Sequence, residues 1–248
     1  MHLLAVLSHR LGLTVWQQAV ADKTKAIPVL EDVLRGLLLE GRVITVEALL
    51  TQRALAQRRL EGGGDYVLIV KGNQPPWQQD IRLVFQEPSA LAETMTAYDT
   101  VDHGHGRLEE RRLTASPALV EYSDWPGLAQ VFQVERRVTI QESGAQRTEV
   151  VYGVTSLSPA RAGPDGLLRL VRQHWQIENQ VHGVRDVTFD EDRSQVRCGS
   201  MPQVMAAFRN TAIGVRHGAG ETNIAAACRR FAAQPWLALA LIGITLEN

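Results

Sequence analysis

Between Ile27 and Gln86 the hydrophobic period of this chain changes repeatedly, and that alternation narrows the folds open to it. Ile27 to Glu40 has helical spacing, with Pro28 near its start, Val29, Val33 and Leu37 on one face, and Gly41 just past its end. Val43-Ile44-Thr45-Val46 is a short apolar run of the buried-strand type, ending at Glu47. Thr51 to Leu60 returns to helical spacing ahead of Gly62-Gly63-Gly64. Tyr66–Val70 is a second strand, and Pro75-Pro76 opens a helix that runs to about Gln86. Strand alternating with helix in this way predicts an α/β domain with a parallel portion.

The flanking regions read differently. Leu3–Ser8 and Leu13–Ala19 are β-leaning runs separated by Arg10-Leu11-Gly12, which predicts a hairpin. Leu108–Thr114, Val131–Ile140 and Arg147–Thr155 look like successive strands, the last two joined at Glu142-Ser143-Gly144. They predict an all-β insertion in the α/β domain. Helical spacing returns at Pro164 and continues to the C-terminus, with no internal repeat. The expected organisation is an α/β part over residues 1–97, a β-rich insertion over 98–160 and a helical part over 161–248.

With 248 residues, 45% of them hydrophobic, the chain can bury a substantial core. Its net charge of −1 gives no overall cationic signature of a nucleic-acid binder. Charge is uneven, however: from Arg193 to Arg230 six arginines stand against Glu221 alone. That run could track phosphates or form a solvated helical face. Cys198 and Cys228 make no disulfide framework, so a reducing cytoplasm is expected. The apolar N-terminus is broken at His9 and Arg10. Trp236 to Leu246 is too short for a membrane span and suits a buried helix.

The residues with the most chemical content are His174-Trp175-Gln176-Ile177-Glu178-Asn179, followed by His182, Asp186 and the acidic run Asp190-Glu191-Asp192. Glu178, within a helix, and Glu47, at a strand end, are hard oxygen donors of the kind that hold a divalent cation for phosphodiester chemistry. The plain alternatives are a solvated helix glutamate and an acid stabilised at a helix N-terminus. Lys71, Asn73 and Gln74 follow a strand end, where either phosphate contacts or a Gly-Asn turn would account for them. His105, Arg107 and Glu109 alternate onto one strand face. His103 and His105 have metal-ligand spacing, but no third ligand is evident nearby.

Taken together these stretches resemble the DDE transposases of bacterial insertion sequences, in the ISAs-type or H-repeat-associated subgroup. The resemblance rests on Val43-Ile-Thr-Val-Glu-Ala-Leu-Leu-Thr-Gln52, Gly64-Asp-Tyr-Val-Leu-Ile-Val-Lys-Gly-Asn-Gln74, His105-Gly-Arg-Leu-Glu109, and Trp175-Gln-Ile-Glu-Asn179 through Asp192. It covers almost the whole chain in the family's order. It implies a ribonuclease H-like fold with catalytic carboxylates on the first strand, on the fourth strand, and on a helix beyond a β-rich insertion. The helix motif of related transposases, Tyr-x2-Arg-x3-Glu-x6-Lys, falls here on Val171, His174, Glu178 and Arg185. On an α-helix, 174, 178, 182 and 185 would share one face.

Three departures accompany the resemblance. The second family carboxylate is normally an aspartate in a Thr-x-Asp-Ala setting, and here it is Glu47. The family's first aspartate belongs to an Asp-Gly-Lys segment upstream of the Leu3–Ser8 strand, and these residues do not include it. Gly183 replaces a tryptophan, and Arg185 an apolar residue. The expectation is therefore a ribonuclease H-like α/β fold with an inserted β-rich region, a helical C-terminus and its first, central strand missing.

The implied activity is metal-dependent DNA cleavage and strand transfer, in a copy read as 5′-truncated or mis-started and hence defective. The alternative is a dead remnant that only binds DNA or a full-length transposase, or one that retains no function. Glu47 and Glu178 are the expected catalytic and metal-binding residues, with Mg²⁺ (or Mn²⁺) as cofactor. Lys71, Asn73, Gln74, His105, Arg107, Arg112, His182 and Arg185 are the expected DNA contacts. DNA, a homodimer and a nucleoid-associated cytoplasmic location complete the expectation. The DNA immediately upstream of Met1 separates a misplaced start from a fossil.

Overall fold

The first two apolar runs pair as a hairpin. β1 (His2–Ser8) and β2 (Leu13–Val20) are antiparallel, in register from His2 opposite Val20 to Ser8 opposite Leu13, with an irregularity at Val6/Leu7. This computed structural model describes residues 2–20, 26–46, 48–72, 74–86, 92–177, 181, 183–221 and 223–244. The chain forms two units, residues 27–174 and residues 1–26 with 175–248. Among the described residues, no helix is long and apolar enough to cross a membrane.

The alternating region gives α1 (Ala26–Gly36), β3 (Val43–Val46), α2 (Arg53–Glu61), β4 (Asp65–Val70) and α3 (Pro75–Gln86). α1 stops four residues earlier than its spacing predicts, at Gly36, a poor helix former, so Leu37 lies beyond it. Its buried stripe is Ala26, Leu30, Val33 and Leu34. Four long strands follow, β5 (Thr96–Gly104), β6 (Arg107–Ser116), β7 (Gln130–Ile140) and β8 (Gln146–Thr155), and then α4 (Pro164–Ile177). β5 is missing from the sequence reading. Almost all of its residues are exposed or half-exposed, so no hydrophobic alternation marks it.

All six strands from β3 to β8 belong to one mixed sheet, in the order β3-β4-β8-β7-β6-β5. β3 and β4 are parallel and every other pair is antiparallel. β4 lies inside the sheet and is buried along its whole length, which explains the unbroken apolar run from Tyr66 to Val70. The start of the parallel pair is fixed by Arg59 of α2. This guanidinium is 1% exposed and donates to the carbonyls of Asp65 (2.9 Å), Leu39 (3.0 Å) and Arg42. Desolvation by burial pushes its pKa down to about 10, which leaves it charged at neutral pH. Gly64 must be glycine here, since a Cβ would sit 2.2 Å from the guanidinium and 2.4 Å from the Leu39 oxygen.

In the other unit, α5 (Met201–Gly218) packs on β2, and Asn210 donates to Gln17 at 2.5 Å. α6 (Ile224–Ala233) is capped by Asn223, whose side chain accepts from the Ala226 amide. The Phe231 ring lies against the guanidinium groups of Arg216 and Arg230, at 5.2 and 5.0 Å. α7 (Pro235–Leu241) is shorter than the buried helix read from Trp236 to Leu246. Trp236 and Ile242 are 55% and 61% exposed, and Gly243, at φ 82°, turns the chain; Leu246 lies outside the described residues.

Candidate catalytic site

The parallel pair organises the candidate site, because the loops following parallel strands lie together at their C-terminal ends. After β3, Thr51 is fully buried and its hydroxyl donates to the Ile69 carbonyl of β4 at 2.7 Å. After β4, the Gln74 amide nitrogen donates to its neighbour Lys71's carbonyl at 3.0 Å, and its side chain donates to the Thr51 carbonyl. Gln74 therefore ties the two loops together. Lys71 is exposed beside it. Glu47 and Asn73, which belong to these same loops, lie outside the described residues.

The second component is α4. Its buried stripe is Leu167, Leu168 and Val171, each at most 1% exposed, and Asp165 occupies the first turn, where a negative charge favours the helix. From its last turn, His174 Nδ1 meets Thr45 Oγ1 of β3 at 2.9 Å. Thr45 is the threonine of the Thr-x-Glu-Ala frame, and His174 is four residues before Glu178 in the sequence. Glu178 and His182 are outside the described residues.

Val184–Thr188 forms a π-helical turn, so Arg185 does not have the α-helical geometry expected of it. Arg185 is 11% exposed and grips Glu191 with both arms, at 2.6 Å each, while Arg209 stands 3.8 Å from the same carboxylate. Its guanidinium is thus occupied by a protein carboxylate. The cationic run is likewise engaged in part: Arg193 pairs with Asp190, Arg216 contacts Cys228, and Arg230 pairs with Glu221.

The remaining candidates lie on the long antiparallel strands. His105 is not on a strand face. With Gly106 it forms the two-residue β5–β6 turn, at φ 51° and 70°, the left-handed pair that matches the twist of a tight hairpin. Arg107 opens β6 and is exposed. Arg112 faces Asp99 across the ladder at 3.5 Å, in a pair more than half exposed on both sides.

A denser charge cluster on these strands is absent from the sequence reading. Asp102 accepts from Arg111 (2.5 Å) and from Arg172 of α4 (3.1 Å). Arg111 also holds Glu109 (2.6 Å). Arg136 holds Glu109 in turn and stands 3.8 Å from Glu149. The spacing hints only that Glu109 and Arg111 share a strand face; the pairing itself requires the sheet register.

Among the described residues, no three His, Cys, Asp or Glu side chains are placed to hold a metal ion. The donors that would suit Mg²⁺, Glu47 and Glu178, are not among those residues.

The wider relationships of the chain agree with its motifs. The transposase DDE domain model matches residues 1–213. An uncharacterized protein from the dhlA 3′ region of Xanthobacter autotrophicus is 37% identical over 140 residues, which covers 55% of this chain and 47% of that protein. YbfL of Escherichia coli K12 is 26% identical over 225 residues, covering 86% of this chain and 57% of YbfL. YhhI of the same strain, named as an H repeat-associated putative transposase, has the same identity and coverage. The chain spans about half the length of these curated relatives. On this match, the chain belongs to the transposase DDE domain family.

Proposed function

We propose that this chain is the catalytic part of a transposase acting on DNA, with Glu47 and Glu178 as its two carboxylates. The observation that carries this reading is the Thr45–His174 hydrogen bond. Glu47 is two residues beyond Thr45 in the sequence. Glu178 is four residues beyond His174 in the sequence. A contact between Thr45 and His174 is what two carboxylates one step further on would need in order to share a ligand.

A divalent cation, Mg²⁺ or Mn²⁺, would be held by Glu47 and Glu178 and would supply charge neutralisation and an activated water. Gln74 and Thr51 hold the loop that carries Glu47 against the loop after β4, and Lys71 presents a cation beside them. Asn73 and His182 are read as DNA-side donors, together with His105, Arg107 and Arg112 on the hairpins. Arg185 can serve by exchanging Glu191 for a phosphate. The partners are the element ends, target DNA and a second transposase copy, at the nucleoid.

We read the fold as ribonuclease H-like, with β5–β8 as the inserted region and the central first strand not supplied by these residues. In support, among the described residues β3 has no strand on its outer edge and β1–β2 form a separate two-stranded sheet. The same open edge favours a second reading, a remnant that pairs with a full-length transposase, because an unpaired strand edge is a template for another chain. Under either reading, residues 1–248 alone are defective in cleavage. Glu47 moves its carboxylate by about an ångström relative to aspartate, and a misplacement of that size can cost on the order of 100-fold in rate.

The test is strand cleavage of an element-end duplex with Mg²⁺ or Mn²⁺, alongside binding at low and high salt. No cleavage with salt-sensitive binding is the expected result. Cleavage that disappears in Glu178→Ala would overturn the defective reading. An absence of DNA binding at low salt would overturn the DNA reading altogether.

A further inference from the structure

We infer that Arg172 is a positioning residue, which with Asp102 fixes the rotation of α4 on the sheet and so sets where His174 points. Arg172 and His174 are two residues apart, or about 200° around a helix of 3.6 residues per turn, and therefore leave α4 on opposite flanks. Between them runs the buried stripe Leu167, Leu168 and Val171. On one flank His174 meets Thr45 of β3; on the other, Arg172 meets Asp102 of β5. β3 and β5 are the two edge strands of the six-stranded sheet. One helix thus ties both edges.

The register shows how far this tie reaches. Thr45 lies level with Val67 and Thr155, whereas Asp102 lies level with Glu109, Val138 and Arg147. In a flat sheet the two rows would be separated by eight residues along the strands and five strands across. That is roughly 27 Å in one direction and about 24 Å in the other. Two side chains two residues apart on one helix cannot span that diagonal. The sheet therefore coils around α4, in the sense its twist allows, and brings Asp102 back to the helix.

Asp102 is itself held. Its Oδ2 accepts from Arg111 as well as Arg172, and Arg111 is anchored by Glu109, which Arg136 also holds. Arg111 is 11% exposed, so this carboxylate is fixed from the sheet side before Arg172 reaches it. An apolar stripe alone lets a helix roll about its axis. Two polar contacts on opposite flanks do not. The consequence for Glu178, four residues past His174 in the sequence, rests on the proposed function; the positioning of His174 does not.

The experiment follows the His174 ring nitrogens by NMR in the full chain, assigned with His174→Gln. Thr45→Val supplies the signal of a ring that has lost the Thr45 hydroxyl. In Arg172→Ala the His174 resonance is expected to move towards its Thr45→Val position, and Asp102→Asn is expected to do the same. Arg172→Lys, which keeps a cation, is expected to restore the wild-type resonance in part. A merely structural loss would lower the melting temperature in all these variants without this ordering. An unchanged His174 resonance in folded Arg172→Ala and Asp102→Asn would overturn the inference. Mn²⁺ separates the two proposals. If it fails to broaden His174 while the resonance still responds to Arg172→Ala, the metal site falls and the positioning role stands.

Discussion

Thr45 Oγ1 and His174 Nδ1 lie 2.9 Å apart, joining a strand and a helix separated by 129 residues of sequence. Both groups are partly buried, so their partnership has a measurable worth. Thr45→Val keeps the side-chain shape and removes the hydroxyl. It is expected to destabilise the sheet unit by about 1 kcal/mol, the usual net value of such a bond. Urea denaturation measures this directly. No change would mean that water replaces the hydroxyl without loss.

Gly64→Ala is expected to be among the most damaging single-methyl changes in the chain. The added Cβ would lie 2.2 Å from a guanidinium that is itself locked onto three carbonyls, so neither side can yield cheaply. Overpacking of this kind costs about 1–3 kcal/mol. Gly36→Ala is the contrast. A methyl group there would meet nothing within 4 Å, and Gly36 ends α1, so a gain of about 0.5 kcal/mol is expected. Equal denaturation midpoints for the two variants would contradict the Arg59 clamp.

The alternation from Val43 to Gln86 was legible because burial dictates it: β4 is covered on both faces, and after Asp65 its sequence has no polar break. β5 was not legible, because an edge strand with few buried positions leaves no period in its residues. The His105–Gly106 turn hid in a His-Gly-Arg motif, where the demand for two left-handed residues outweighed any strand propensity. At the site, Thr45 and His174 each belonged to a readable motif, but their meeting depends on tertiary packing. Asp102 and Arg172 carried no signal at all. Their partnership arises only once the sheet coils around α4.

Alkaline stability should depend on Tyr66. Its hydroxyl is buried and donates to the Pro126 carbonyl at 2.6 Å, and desolvation raises its pKa well above the ordinary tyrosine value. The folded state therefore holds this proton more tightly than the unfolded chain does. The stability it contributes is complete below the unfolded pKa of about 10 and is lost as pH rises beyond it. Tyr66→Phe is expected to be less stable at pH 7 by about 1 kcal/mol, from the lost hydrogen bond. Its stability should then fall less steeply than the wild type above pH 10. Parallel slopes in urea melts between pH 9 and 11 would count against the buried phenol as the cause.

DNA binding offers the most direct check on the hairpin arginines. Arg112 pairs with Asp99 in an exposed ion pair, and such pairs add little to stability, so Arg112→Ala should fold with an unchanged melting temperature. Arg107, exposed at the start of β6, should behave similarly. If each contacts one phosphate, each substitution should weaken binding to any duplex and flatten the logarithmic salt dependence by roughly 0.9. Arg185→Ala is expected to act differently. Its loss removes both short contacts that it makes to the Glu191 carboxylate, so the melting temperature should fall whether or not DNA is present. Fluorescence anisotropy at several salt concentrations, paired with thermal melts, separates the two kinds of arginine. A salt slope unaltered by both hairpin substitutions would remove β5–β6 from the DNA interface.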